Sequence, residues 1–128
     1  MILLPLLLAN ALVAPDAAPL SEAVTRCDRA AVAAQAQAEP GRRAEFAMGV
    51  YAEQRAIAAE RAGLDAATPA VVSGPAGDAS LTAARAALDA RQRRLDDAVR
   101  VERAWREVND ELRAQFLAAC TGRKANNG

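Results

Sequence analysis

Histidine is absent from the 128 residues of the chain, and aromatic residues make up only 3% of them. Without imidazole, the chain lacks the commonest general base of enzymes and a principal zinc ligand. Its acidic residues follow a helical pattern and lack the glycine turn of a calcium loop. The sequence therefore predicts no enzyme activity, no cofactor and no metal site.

Net charge is also absent, because sixteen basic residues balance sixteen acidic ones. Proteins that bind nucleic acid usually present an excess of lysine and arginine to the phosphates. We therefore expect no nucleic-acid partner. The remaining candidates are an unknown protein partner or self-association.

Cysteine is scarce: Cys27 and Cys120 are the only two, and they lie near opposite ends of the chain. A redox site or a metal site usually has two cysteines close together in sequence. Cys120 also falls at the end of a predicted helix, where the helix dipole disfavours a thiolate. We predict a structural Cys27–Cys120 disulfide.

The first residues form an apolar run, "MILLPLLLANALVA", followed by the acidic Asp16. Such a run with small residues at its end is typical of a secretory signal peptide. We predict a signal peptide over residues 1–14, with cleavage after Ala11 or after Ala14. The expected location is periplasmic or secreted, an oxidising environment in which a disulfide persists. In the alternative, the segment stays uncleaved and tethers the protein to a membrane.

Alanine and other strong helix formers dominate the rest of the chain,. From Leu20 onward, apolar residues recur at steps of three and four, which predicts a helical domain over residues 20–122. A stretch rich in alanine, proline and glycine predicts a connecting loop at about 65–79. Residues 123–128 are expected to be a disordered tail.

The fold class predicted is all-α, an antiparallel two-helix hairpin that resembles a coiled coil. Leu81, Leu88 and Leu95 repeat every seven residues, which keeps one face of a helix against one partner. Pro40 and Gly41 interrupt the first helix and predict a kink or a break there. A sharp turn at this point would give the alternative, a three-helix bundle.

If the loop is the tip of a hairpin, a single antiparallel register places apolar residues opposite one another. A slip of two residues, absorbed by the irregularity at Pro40 and Gly41, then brings Cys27 close to Cys120. Large residues such as Trp105 then face the alanine-rich part of the first helix, which allows close packing. The residues predicted to pack between the helices are Phe46, Val50, Ile57, Leu64, Leu81, Leu88, Leu95, Val99, Trp105, Leu112 and Phe116.

The same register places Arg43 opposite Glu102 and predicts a partly exposed salt bridge between the helices. Such a pair contributes about 1 kcal/mol or less, so it would fix the register more than the stability. Met48 and Tyr51 lie off the apolar stripe and are expected to be exposed, as a second contact face would be.

These observations lead to one expected function and two alternatives. The expected function is that of an exported, small helical binding or structural module, closed by one disulfide and without catalytic activity. The first alternative is a homodimeric coiled-coil adaptor or chaperone-like protein that uses the outer faces of its helices. The second is a helical protein tethered by its uncleaved first segment, which would be its only contact with a membrane.

Overall fold

The structure is a computed structural model that describes residues 12–71 and 74–122. Most of the predicted signal peptide and the whole of the predicted tail lie outside the described residues. Within them the chain is all-α, as predicted, and contains no β-strand. The described helices are α1 (Ala18–Thr25), α2 (Arg29–Val71) and α3 (Pro75–Cys120).

The two long helices, α2 and α3, run antiparallel and pack along their length. Their direction follows from the contacts, since Arg42 pairs with Glu102 while Glu53, further along α2, pairs with Arg91. The short helix α1 packs against both of them. The prediction of two helices was therefore incomplete, and the count of three agrees with the predicted alternative.

The break in the first predicted helix lies at residues 26–28, where α1 ends and α2 begins. Cys27 adopts φ 52°, in the left-handed region. The amide of Cys27 donates to the carbonyl of Val24, and that of Asp28 donates to the carbonyl of Ala23. This is a Schellman motif, which ends a helix and usually has glycine at the left-handed position.

Asp28 then begins α2, because its Oδ1 accepts a hydrogen bond of 3.1 Å from the amide of Ala31. A side chain that accepts from the third residue of a helix is an N-cap. Two consecutive residues, Cys27 and Asp28, therefore end one helix and start the next. This corner lets α1 fold back onto the pair of long helices.

The predicted break at Pro40 and Gly41 is wrong, because α2 is continuous from Arg29 to Val71. A proline inside a helix removes one backbone hydrogen bond and costs about 3 kcal/mol. Packing on both sides of the proline offsets this cost: Val32 and Phe46 are buried, and the Glu39 side chain accepts five side-chain hydrogen bonds.

The predicted loop at 65–79 is also wrong for most of its length. Helix α2 extends to Val71, and α3 already begins at Pro75. Alanine favours helix strongly enough to extend both helices into this region. Pro75 occupies the first turn of α3, where its missing N–H costs nothing. Gly74 precedes it at φ 113°, a conformation that residues with a Cβ rarely adopt,.

The core consists of two apolar clusters along the helix pair. The first, at the disulfide end, joins Leu20, Ala23 and Val24 of α1 to Val32 of α2 and to Trp105, Phe116 and Cys120 of α3. The second, nearer the connection between α2 and α3, contains Ile57, Leu88 and Leu95. The charged and polar residues described below lie between and beside these clusters.

Candidate functional site

The disulfide predicted from the sequence is confirmed: Cys27 and Cys120 are bonded, with their Cα atoms 5.4 Å apart. It joins the corner between α1 and α2 to the last residue of α3. The bond closes a loop with a sequence separation of 93. Closing a loop of that size stabilises a fold by about 4 to 5 kcal/mol in the chain-entropy model.

The residues predicted to pack between the helices are buried or partly buried. The buried ones are Phe46, Ile57, Leu88, Leu95, Trp105 and Phe116. The partly buried ones are Val50, Leu64, Leu81, Val99 and Leu112.

The predicted salt bridge between Arg43 and Glu102 is wrong by one residue. Glu102 instead pairs with Arg42, at 2.7 Å, while Arg43 pairs with Glu39 and Asp110. The predicted register was fitted to apolar positions alone, and it did not include the corner at residues 26–28. The residue of α2 that faces a given residue of α3 is therefore off by one in the predicted register.

Glu39 is the centre of a buried ion cluster between α2 and α3. Its side chain is only 4% exposed and faces Trp105, whose Nε1 donates to Glu39 Oε1 over 2.8 Å. Arg42 donates to both oxygens of Glu39, at 3.0 and 2.7 Å, and Arg43 donates to Oε1 at 2.9 Å. Gln35 Nε2 donates to Oε2, which also accepts from Arg42. Both carboxylate oxygens are thus fully satisfied inside the protein.

Glu102 completes the cluster from the α3 side and is 2% exposed. Arg42 donates to both of its oxygens, at 3.0 and 2.7 Å, and Arg106 donates to Oε1 at 3.0 Å. The guanidinium of Arg42 also lies 5.8 Å from the centre of the Trp105 ring. Arg42 therefore bridges two carboxylates on different helices and contacts an aromatic face.

The cluster holds both glutamates in their ionised form. Burial opposes ionisation of Glu39, but hydrogen bonds from Arg42, Arg43 and Trp105 outweigh it and lower its pKa from 4.5 to about 2. For Glu102, burial likewise raises the pKa, and the hydrogen bonds from Arg42 and Arg106 lower it to a greater extent. A carboxylate with a depressed pKa is a weak base near neutral pH. This geometry suits a structural role better than proton transfer.

Asn109 lies next along α3 and is completely buried, at 0% exposure. Neither atom of its amide has a hydrogen-bond partner within the described residues, and the same holds for Gln35 Oε1. Sequence reasoning missed Asn109, Glu39 and Arg42. The available signal was a polar residue on the apolar face of a helix, since Asn109 follows Trp105 by four and Phe116 follows Asn109 by seven.

A surface groove lies between α2 and α3 near each end of the pair. The groove at the disulfide end, called here the open-end groove, has an apolar floor and an arginine on each helix. Its lining residues are Arg29, Val32, Ala33, Ala36, Arg113, Phe116 and Leu117. No residue among these is acidic.

The second groove, called here the tip groove, lies near the connection between the two long helices. It is lined by apolar residues such as Leu64 and Leu88, together with Glu60 and Arg91 on its rim. Arg91 pairs with Glu60 at 2.7 Å and also with Glu53. Arg91 is therefore neutralised within the chain, whereas Arg94, which also lines the tip groove, forms no ion pair within the described residues. Arg29 and Arg113 of the open-end groove likewise form no ion pair within the described residues.

The outer face of α2 carries the two exposed residues noted in the sequence. Met48 is 65% exposed and Tyr51 is 61% exposed, with the Arg55 guanidinium 5.8 Å from the Tyr51 ring.

Comparisons with known proteins identify no family: no family model, no curated protein and no solved structure matches the chain. None of the helices in residues 12–71 and 74–122 is long and apolar enough to span a membrane. In the same part of the chain, no group of three or more acidic or cysteine side chains is arranged to hold a metal ion.

Proposed function

We propose that the protein is an exported helical binding module without catalytic activity, whose coiled-coil-like pair of long helices is held in shape by the Cys27–Cys120 disulfide. The disulfide is the observation that carries this proposal. Structural disulfides form and persist mainly in exported proteins, and this one links the two ends of the helical domain,. The apolar run over residues 1–14 supplies the expected export signal.

The buried charges support a binding or structural role over an enzymatic one. Glu39 and Glu102 are both buried, and arginines hold both carboxylates ionised. Their oxygens accept hydrogen bonds from the arginines of the cluster and from Trp105. Their effect is to fix how α2 packs against α3.

The open-end groove is the surface on which a partner would bind. Its apolar floor is flanked by Arg29 and Arg113, which have no acidic partner within the described residues, whereas Arg91 of the tip groove already pairs with Glu60. Charge complementarity favours an acidic, amphipathic helix of another protein, with its apolar side chains on the floor. Leu117, at 61% exposure, would become covered by such a helix.

Fluorescence anisotropy tests this surface with a labelled synthetic helix that carries leucines at i and i+4 flanked by glutamates. We expect saturable binding that weakens with salt and is lost when Arg29→Glu and Arg113→Glu are combined. A peptide with lysine in place of glutamate should not bind. The matched control combines Arg93→Glu with Arg103→Glu, which changes two exposed arginines outside the groove. Equal loss in this control would contradict the proposal.

Cell fractionation tests export separately. We expect the full chain, expressed in a bacterium, to yield protein in the periplasmic fraction. Recovery of full-length protein in the membrane fraction would support the tethered alternative, and recovery in the cytosol would contradict export.

The homodimeric adaptor or chaperone-like alternative has one specific observation in its favour, the exposure of Met48 and Tyr51 on the outer face of α2. Light scattering of the purified chain distinguishes the two. A monomer would contradict the alternative. A dimer that Met48→Glu and Tyr51→Glu convert to monomer would support it.

A further inference from the structure

Residues 12–17 are not helical, yet they are anchored to the folded domain. Leu12 is partly buried and packs against the cluster of Ile57, Leu88 and Leu95. Ala14 and Ala17 are also partly buried and pack against the other cluster, near α1.

The residue between the two contacts points the other way, since Val13 is 67% exposed. At the far end of this segment, Asp16 Oδ1 accepts a hydrogen bond of 3.0 Å from the amide of Ala18 and begins α1. The segment from Leu12 onward is therefore part of the domain.

We propose that the processing site of the chain is the Ala11–Leu12 peptide bond, and that Leu12 is the first residue of the mature protein. This inference rests on the proposed export. A signal peptidase would hydrolyse the bond with one water molecule, leaving a carboxylate on Ala11 and an ammonium group on Leu12. Every contact described for residues 12–17 survives this cut.

The chemistry of the two candidate sites points to the same bond. Cleavage after Ala11 places Ala9 and Ala11 at the two positions where signal peptidases require small side chains,. Cleavage after Ala14 would place Leu12 at one of these positions, and Leu12 is large.

The residue after each cut also differs. After Ala14 the next residue is Pro15, so the bond to be cut is a tertiary amide, and Pro15 has no N–H to donate to a peptidase,. After Ala11 the next residue is Leu12, which has an ordinary amide. Cleavage after Ala14 would also remove the packing of Leu12 and Ala14 on the core.

Intact mass and amino-terminal sequencing of the exported protein test the site. We expect a chain that begins at Leu12. An exported chain that begins at Pro15 would overturn the inference while leaving export intact. Uncleaved protein in the membrane fraction would overturn the inference and support the tethered alternative, and uncleaved protein confined to the cytosol would contradict both the inference and export. Ala11→Leu should block processing, and the matched Ala14→Leu should leave the new amino terminus unchanged.

A second measurement tests whether Leu12 belongs to the mature domain. In the exported protein, Leu12→Ala should raise the unfolding equilibrium constant about tenfold, because it removes packing of a partly buried side chain. Val13→Ala is the matched control at the neighbouring exposed position and should change it less than threefold. Equal effects of the two substitutions would overturn the assignment of Leu12 to the folded domain.

Discussion

Trp105 Nε1 donates a hydrogen bond of 2.8 Å to Glu39 Oε1, and this bond joins α3 to α2 inside the protein. Both side chains are buried, at 6% and 4% exposure. An indole has a single N–H donor, so the bond forms only when the two helices lie at one axial position. The pair therefore specifies the register that the apolar residues alone leave open.

Trp105→Phe tests this bond, because it keeps much of the aromatic packing and removes the donor. We expect a loss of about 1.5 to 3 kcal/mol in the free energy of unfolding, typical of a hydrogen bond to a charged group. Guanidinium denaturation measures it. Tyr51→Phe is the control, since Tyr51 is 61% exposed and should change stability by about 0.5 kcal/mol or less,. A similarly small loss for Trp105→Phe would show that the bond is unimportant.

The ion cluster also predicts how stability depends on pH. The pKa of Glu39 is about 2 in the folded protein, against an ordinary 4.5, so the unfolded chain binds more protons between these values. The stabilisation is fully present above about pH 5 and is lost as pH falls toward 2, by an amount on the order of 3 kcal/mol. Glu102 and Glu53, whose pKa values are also lowered, add to the same loss.

Urea denaturation at a series of pH values from 6 to about 2 measures this dependence. In Glu39→Gln the free energy of unfolding should depend less steeply on pH, while substitution of the exposed residue in Glu45→Gln should leave the dependence unchanged. An unchanged slope in Glu39→Gln would contradict the assignment of the pH dependence to the cluster.

The buried amide of Asn109 predicts a substitution that stabilises the protein. Asn109 is fully buried and its amide has no hydrogen-bond partner within the described residues. Replacing it by leucine, of similar shape, removes an unsatisfied polar group and should raise the free energy of unfolding by about 1 to 3 kcal/mol. Asn109→Asp should do the reverse, because it places a charge in the same site. Destabilisation by both would show that the amide is satisfied in solution.

The backbone of Cys27 predicts an unusual preference for glycine. Cys27 has φ 52°, at the position of a Schellman motif where glycine is favoured,. In a Cys120→Ser background, which lacks the disulfide, Cys27→Gly should be about 1 kcal/mol more stable than Cys27→Ala. Thermal denaturation of the two variants measures the difference. Greater stability of the alanine variant would contradict the described conformation of the corner.

Sequence reasoning recovered the features that depend on periodicity and spacing. Alanine content and the three-and-four spacing gave the all-α class, and the antiparallel register brought Cys27 to Cys120. It failed where tertiary contacts override local signals. Pro40 normally breaks a helix, but α2 continues through it, with the hydrogen-bonded Glu39 and the buried Phe46 packed on either side of the proline.

The remaining features could not be predicted from the sequence, and the physical reason can be named for each. Cysteine is not a usual residue for the left-handed end of a helix, so the corner at Cys27 gave no signal. The predicted partner of Glu102, Arg43, is one residue away from the observed partner, Arg42. A register fitted to apolar residues is not precise enough to distinguish two adjacent arginines. Long side chains also reach across such a shift, so charge pattern alone does not resolve it.

The central claim is that the exported protein is held together by the Cys27–Cys120 disulfide. The most direct measurement is the intact mass of protein from the periplasmic fraction after denaturation and alkylation without a reductant. We predict a mass without added alkyl groups, and two added groups only after reduction. Alkylation of both cysteines before any reduction would contradict the account.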